Sequence, residues 1–280
     1  MIRLFVSDLD GTLFDETHYP NQIVYDAVSM VLENDCCFSI ATGRGKYNSD
    51  GYNKDLKAMG IYSIVCNGAL IIDKEGNRMY GRPVRKEVVK DLLTTFPDIG
   101  FSLQTEDYVY IYRHKEEYIA RTVNKANKVN SRKSAEEVLS HVKFIDEYEE
   151  MEGVEVFKIN ITEKNIGDDS DDFLKYLENH RNTIVNASSF PGYYELTDAQ
   201  ATKKTAVEAL ADALNVPYEE VQVYGDTNND LDMLQGFEHS YCPANAWDEV
   251  KSVVKEVLGP NTENSVPRHI METIQKERKM

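Results

Sequence analysis

The chain predicts an α/β fold: a doubly wound parallel sheet interrupted by an inserted α+β domain. Three observations carry this. Short apolar runs alternate with helical patterns through residues 1–80, the rhythm of parallel strands joined by crossover helices. Between about Arg82 and Pro191 the pattern changes to paired strands and helices that form layers of their own. From Lys203 the crossover rhythm returns, so the first domain is split in sequence around the second.

Ile2 to Ser7 and Cys36 to Ala41 read as buried strands. Between them Ile23, Val24, Ala27, Val28, Val31 and Leu32 repeat at helical spacing, after the start signals Pro20 and Asn21. Ile61 to Cys66 is a third strand, and Asn67-Gly68 and Glu75-Gly76 mark turns around a fourth, Ala69 to Asp73. In the insertion Val88, Val89, Leu92, Leu93 and Phe96 define a helix. Phe101 to Gln104 and Val109 to Arg113 follow as paired strands, then a helix from Glu116 to about Asn130. Val154 to Thr162 and Thr183 to Ala187 are strands separated by a helix from Asp169 to about His180. The returning part reads as helix Ala206 to Leu214, strand Val221 to Tyr224, helix Asn229 to Leu234 and strand His239 to Cys242. Helices over about Trp247 to Leu258 and Val266 to Lys276 close the chain. The domain limits are 1–81 with 191–280, and 82–190.

At 280 residues the chain is long enough for two such domains. Its 31 basic and 48 acidic residues leave a net charge of −17, a field that repels polyphosphate backbones and argues against nucleic acid as a partner. The split domain carries −12 of this and the insertion −5, so the insertion is the less repulsive half for an anionic substrate. No apolar run approaches the ~18 residues of a membrane span, and the run Ile2 to Val6 contains Arg3, which speaks against a membrane anchor or signal peptide. Four cysteines without CxxC spacing are too few for a disulfide framework; they read as buried apolar side chains of a cytoplasmic protein.

Three polar clusters each follow directly on an apolar strand: Asp8-Leu9-Asp10-Gly11-Thr12, Thr42-Gly43-Arg44 and Gly225-Asp226. Ligands of open parallel sheets bind beyond the carboxyl ends of the strands, so the clusters should converge. Asp8 and Asp10, two residues apart at a strand end, can point to one side, and two carboxylates so close call for a cation. Asp226, with Asp230 behind it, adds oxygen ligands without His or Cys, which suits Mg²⁺ rather than zinc.

These residues carry a resemblance. DLDGTL at Asp8 to Leu13 resembles the first motif of the haloacid dehalogenase-like hydrolases, ATGR at Ala41 to Arg44 the second, the Lys203/Lys204 region the third, and GDTNNDLDML at Gly225 to Leu234 the fourth. NGA at Asn67 to Ala69, NA at Asn245-Ala246 and the insertion between the second and third motifs narrow the likeness to Cof-like phosphatases of subfamily IIB. The resemblance implies a Rossmann-like core with an inserted cap. It implies Asp8 as the nucleophile forming an aspartyl-phosphate, and Asp10 as the acid that protonates the leaving alcohol and then activates water. It would place Thr42 and a lysine on the phosphoryl oxygens, with Gly43 and Asn229 as further phosphate contacts. Mg²⁺ would be held by Asp8, the main-chain carbonyl of Asp10 and Asp226, with Asp230 behind them.

The third motif departs from the family's Lys-Gly-x-Ala: Lys203-Lys204-Thr205-Ala206 has a second lysine for the glycine. Aligning on Ala206 selects Lys203. Ser265-Val266 likewise stands where the family often has Gly-Val. Arg44 could touch substrate or pair with nearby acids, and Asn67 could serve a phosphate loop or simply its turn. The six histidines show no ligand spacing and receive no catalytic role. Arg121, Lys125, Lys128 and Arg132 form one basic helical face, read first as solvated. The expected activity is a Mg²⁺-dependent phosphatase acting on small phosphorylated metabolites such as sugar phosphates. The alternatives are a phosphomutase, which needs a second phosphate site, and a non-catalytic regulatory protein, which the altered third motif favours.

Overall fold

The computed structural model describes residues 1–126, 134–167, 170–188 and 190–278. Contacts divide the chain into two compact units, one of Met1–Arg44, Tyr52–Gly81 and Ala201–Met280, the other of Gly45–Gly51 and Arg82–Gln200. In chain order the first stretch holds β1 (Leu4–Ser7), α1 (Gln22–Leu32), β2 (Cys37–Ala41), α2 (Lys46–Ala58), β3 (Tyr62–Val65), β4 (Leu70–Ile72) and β5 (Arg78–Gly81). The middle holds α3 (Lys86–Thr95), β6 (Phe101–Gln104), β7 (Val109–Tyr112), α4 (Lys115–Ala126), α5 (Ala135–Leu139) and β8 (Val142–Ile145). It continues through β9 (Lys158–Thr162), α6 (Glu163–Ile166), α7 (Ser170–Asn179), β10 (Ile184–Asn186) and β11 (Tyr193–Asp198). The last stretch holds α8 (Lys203–Leu214), β12 (Val221–Tyr224), α9 (Leu231–Gly236), β13 (His239–Cys242), α10 (Asp248–Lys251), β14 (Glu256–Val257) and α11 (Ser265–Glu277).

The first unit's sheet runs β14-β13-β12-β1-β2-β3-β4-β5, parallel from β14 to β3 and closed by the antiparallel pairs β3–β4 and β4–β5. The chain winds outward from β1 through β2 to β3, then restarts on the other side of β1 at β12. The gap between β1 and β12 is therefore the switch point at which such sheets open a crevice. Alternation along each strand feeds two apolar layers. Phe5, Phe38 and Ile40 meet Val24, Val28 and Val31 of α1 and Val266, Ile270 and Ile274 of α11. Leu4, Val6, Val221 and Val223 meet Ala206, Val207 and Leu210 of α8 and Met233 and Leu234 of α9. Asn21 caps α1 by accepting from the N–H groups of Ile23 and Val24, the role its place in the sequence predicts.

The second unit's sheet runs β10-β11-β9-β6-β7-β8, antiparallel except for β7 with β8. One face packs Phe101, Leu103, Tyr110, Tyr112, Ile159, Ile161 and Leu196 against Val89, Leu92 and Leu93 of α3 and Phe173 of α7. Among the described residues no helix is long and apolar enough to cross a membrane.

Three sequence expectations change. The stretch 191–200, assigned to the split domain, belongs with the insertion: Pro191-Gly192 is a hairpin turn, and β11 pairs with β10 and β9. The helix expected over Trp247 to Leu258 stops at Lys251, because Lys255 and Leu258 donate their N–H groups to Ser240 and Cys242 and the chain becomes an edge strand. The strand expected from Val154 begins only at Lys158. The basic face is described only in part: Arg121 lies 5.2 Å from the ring centre of Tyr118, whereas Lys128 and Arg132, with the end of the expected helix, lie outside the described residues. Helix α2, α5, β5 and β8 were not anticipated; α2 has a glycine and several polar residues in place of an apolar stripe.

Gly68 and Gly76 separate backbone strain from close approach. Both have positive φ, +97° and +91°, but a Cβ on Gly68 would lie 2.1 Å from the Thr202 carbonyl oxygen, whereas Gly76 has nothing within 4 Å. Gly68→Ala should therefore lower stability in urea unfolding by clearly more than Gly76→Ala, whose cost is the strain alone, on the order of 1 kcal/mol. Equal losses would contradict the close contact.

Candidate active site

The site is assembled in the first unit at the carboxyl ends of β1, β2 and β12. Asp8 extends β1 by donating its N–H to the Tyr224 carbonyl at 2.9 Å. The chain then turns sharply, with Phe14 N–H on Leu9 O at 2.8 Å. Gly11 takes a φ of 85° there, and a Cβ at that position would meet Asp226 Oδ2 at 2.4 Å, so both conformation and space require glycine. Thr12 donates its hydroxyl to Asp226 Oδ1 at 2.7 Å, and Asn245 donates its amide to Gly11 O at 2.8 Å. The first and fourth motifs are thereby bonded to each other.

The third motif enters from α8. Thr202 caps the helix, accepting from Thr205 N–H while the Thr205 hydroxyl accepts from Thr202 N–H, and this sets Lys203 as the first helical residue. A cation is disfavoured at a helix N-terminus unless anions face it. Here two do: Lys203 Nζ lies 2.6 Å from Asp8 Oδ1 and 2.6 Å from Asp230 Oδ1, with the lysine side chain fully buried. Asp230 Oδ2 accepts from the N–H groups of Asp226 and Thr227 at 3.0 and 3.1 Å. Lys204 points elsewhere, to Glu208, and is partly exposed. The alignment on Ala206 thus selects the lysine that the fold buries.

Oxygens of Asp8, Asp226 and Asp230 lie within 4.8 Å of one another, so three carboxylates face one ammonium. Burial raises Asp8 well above its ordinary value, Lys203 opposes this, and Asp230 and Asp226 add to it. Burial, then Asp230, push Asp226 up to about 7. Desolvation disfavours charge on Lys203, but Asp230 and Asp8 outweigh it and hold the lysine above its usual range. An all-oxygen donor set with surplus negative charge suits a hard divalent cation, and these residues could hold one.

Asp10 is held differently. Arg44 forks onto it, with Nε on Oδ2 at 2.8 Å and the terminal nitrogen on Oδ1, and His18 Nδ1 lies 2.7 Å from Oδ1. Of the two readings open for Arg44, pairing with an acid is the one observed, and the acid is Asp10 itself. His18, to which the sequence gives no catalytic role, also meets this carboxylate. It is a lone histidine in a turn, and only the loop's conformation brings it back to Asp10. Thr42 is buried one strand over, its hydroxyl accepting from Arg44 N–H at 3.2 Å, with Gly43 between them. Asn229 donates to Asn67 Oδ1 at 3.1 Å, and Asn67 sits in the left-handed region at φ 55°, so the Asn-Gly turn and the fourth motif touch.

The haloacid dehalogenase-like hydrolase family matches residues 5–270. The chain belongs to that family. Phosphatase YwpJ of Bacillus subtilis is 25% identical across 96% of this chain and 99% of its own length. The HMP-PP phosphatase of Yersinia enterocolitica is 23% identical across 96% of this chain and 94% of its own. In fold, the HAD subclass IIB sugar phosphatase BT4131 superposes with a TM-score of 0.74 at 20% identity, covering 97% of this chain and 98% of that one. The family is one of hydrolases, and the matched stretch contains all three loops gathered here.

The raised Asp226 has a consequence for metal-free protein. Its folded pKa, about 7, exceeds the ordinary 3.8, so the folded state binds that proton more tightly than the unfolded chain does. The contribution is fully present below the ordinary value and is lost as pH rises through about 7. Asp226→Asn removes this titration. In urea unfolding with EDTA, the wild type should lose stability relative to Asp226→Asn between about pH 5 and pH 8; a gap that does not change with pH would contradict the assignment.

Proposed function

We propose that this hydrolase is a Mg²⁺-dependent phosphatase that releases phosphate from small phosphorylated metabolites through an aspartyl-phosphate on Asp8. One observation carries the reading: the Asp8 carboxylate is held by the buried Lys203, beside Asp226 and Asp230, at the end of the central strand. A carboxylate pinned by one oxygen keeps the other for attack. The altered third motif had favoured a non-catalytic protein, and the burial of Lys203 against Asp8 removes that support.

The work divides among residues of this chain. Asp8 attacks phosphorus and the P–O bond to the leaving oxygen breaks. Asp10 gives that oxygen its proton, then takes a proton from the water that attacks the acyl-phosphate, freeing phosphate and restoring Asp8. Thr42, Gly43, Asn229 and the Lys203 ammonium supply donors around the phosphoryl oxygens, where fixed charges act without reorganisation. Asp8, the Asp10 main-chain carbonyl and Asp226 would hold Mg²⁺, with Asp230 orienting the group from behind. When bound, the ion cancels repulsion between the anionic nucleophile and the anionic ester. Sugar phosphates and related metabolite esters are the substrate class; the relatives named for a sugar phosphate and for HMP-PP support that class. None of the four cysteines is in a disulfide, which fits a cytoplasmic enzyme.

The test is phosphate release from a panel of phosphorylated metabolites and from 4-nitrophenyl phosphate. Mg²⁺ should support turnover, EDTA should abolish it, and Asp8→Asn should abolish it while the circular dichroism spectrum is kept. Lys203→Ala should lower kcat roughly a hundredfold to a thousandfold, the usual loss for one preorganised donor. Lys204→Ala should change it by less than about threefold, as its charge is spent on Glu208 at the surface. Turnover by Asp8→Asn near the wild-type rate would overturn the reading.

A further inference from the structure

Three donors converge on one carboxylate, and they do not share it evenly. Oδ1 of Asp10 takes both the Arg44 terminal nitrogen and His18 Nδ1, whereas Oδ2 takes only Arg44 Nε at 2.8 Å. The Arg44 fork constrains the plane of the carboxylate, and the His18 nitrogen adds a third fixed point. His18 arrives from a separate segment and fills the remaining direction at Oδ1. Oδ2 is thereby the oxygen with the fewer donors.

The turn that delivers His18 is built for this. Asp15 Oδ1 accepts from the N–H and hydroxyl of Thr17 at 2.9 and 2.6 Å, and Asp15 O accepts from His18 N–H at 3.0 Å. His18 itself adopts φ 57°, a left-handed conformation that histidine, like asparagine and aspartate, takes more readily than most residues. Its side chain is 58% exposed, so the contact to Asp10 adds little to stability.

We infer that His18 is a positioning residue for Asp10: it fixes the carboxylate so that Oδ2 faces the leaving oxygen. The inference rests on the phosphatase reading given above and deepens it. An acid must lie within hydrogen-bond reach of the atom it protonates, and a misplacement of about 1 Å costs up to about a hundredfold. The loss on removing His18 must therefore scale with how much the leaving group needs a proton. 4-Nitrophenolate leaves readily as an anion, whereas phenolate, with a conjugate acid near the ordinary tyrosine value of about 10, leaves poorly without one.

The experiment compares kcat/KM for phenyl phosphate and 4-nitrophenyl phosphate in wild type, His18→Ala and His18→Asn, with Asp8→Asn and Asp10→Asn as references. This parameter reports the first bond-breaking step, before the shared hydrolysis of the acyl-phosphate. His18→Ala should lose about tenfold more on phenyl phosphate than on 4-nitrophenyl phosphate, with its thermal midpoint near that of the wild type. His18→Asn, whose amide N–H can take the place of Nδ1–H and which tolerates the left-handed backbone, should recover most of the loss. In the Asp10→Asn background, His18→Ala should add no further selectivity between the esters. An equal loss on both esters, or none, overturns the role of His18 while the phosphatase reading stands. No phosphate release by wild type, or equal release by Asp8→Asn, overturns the reading itself and the inference with it.

Discussion

The buried ammonium of Lys203, shared between Asp8 and Asp230, is the interaction on which the rest of the site depends. Two carboxylates and an ammonium taken out of water are costly to desolvate, and removing one partner of such a group typically costs about 3–5 kcal/mol. The fold spends much of its local detail on keeping the three together. The Thr202 cap starts α8 at the residue that must point inward, and Gly68 lets the β3–β4 turn press against the Thr202 carbonyl. The apolar face of α8 locks the helix onto β1 and β12 through Ala206, Val207 and Leu210. Asp230 in turn organises the fourth motif by accepting the Asp226 and Thr227 N–H groups.

Charge balance then explains why the two acidic positions of the first motif behave differently. Asp8 is buried among like charges and answered by one lysine, an arrangement that suits a nucleophile held in one orientation and a cation nearby. Asp10, two residues later, is partly exposed and is met by Arg44 and His18 from outside the cluster. On the proposed reading a nucleophile needs fixed geometry and an acid and base needs access to solvent and leaving group, and the end of β1 followed by the Gly11 turn sets the two carboxylates apart within three residues.

Much of this was legible in the sequence because it depends on local signals. The apolar runs of β1, β2 and β12 stand out, the clusters that follow them lie where a parallel sheet binds ligands, and Ala206 sets the phase that chooses Lys203 over Lys204. What was not legible depends on distant pairing. The strand character of Tyr193–Asp198 is decided by β9 and β10, and the shortened helix after Trp247 by β13. Pro191-Gly192 is as good a signal for a hairpin as for a boundary. His18 and Arg44 carry no motif that reveals their partner: their meeting at Asp10 comes from a left-handed turn on one loop and the end of β2 on another.

The central claim, that Asp8 takes up the phosphoryl group, is tested most directly by trapping the intermediate. Enzyme quenched in acid during turnover of 4-nitrophenyl phosphate with Mg²⁺ would be reduced with borohydride, which converts an acyl-phosphate to an alcohol, and mapped by peptide mass spectrometry. The account predicts the reduced side chain at position 8 alone, absent when substrate is omitted. Reduction at another carboxylate, or none during active turnover, would contradict it.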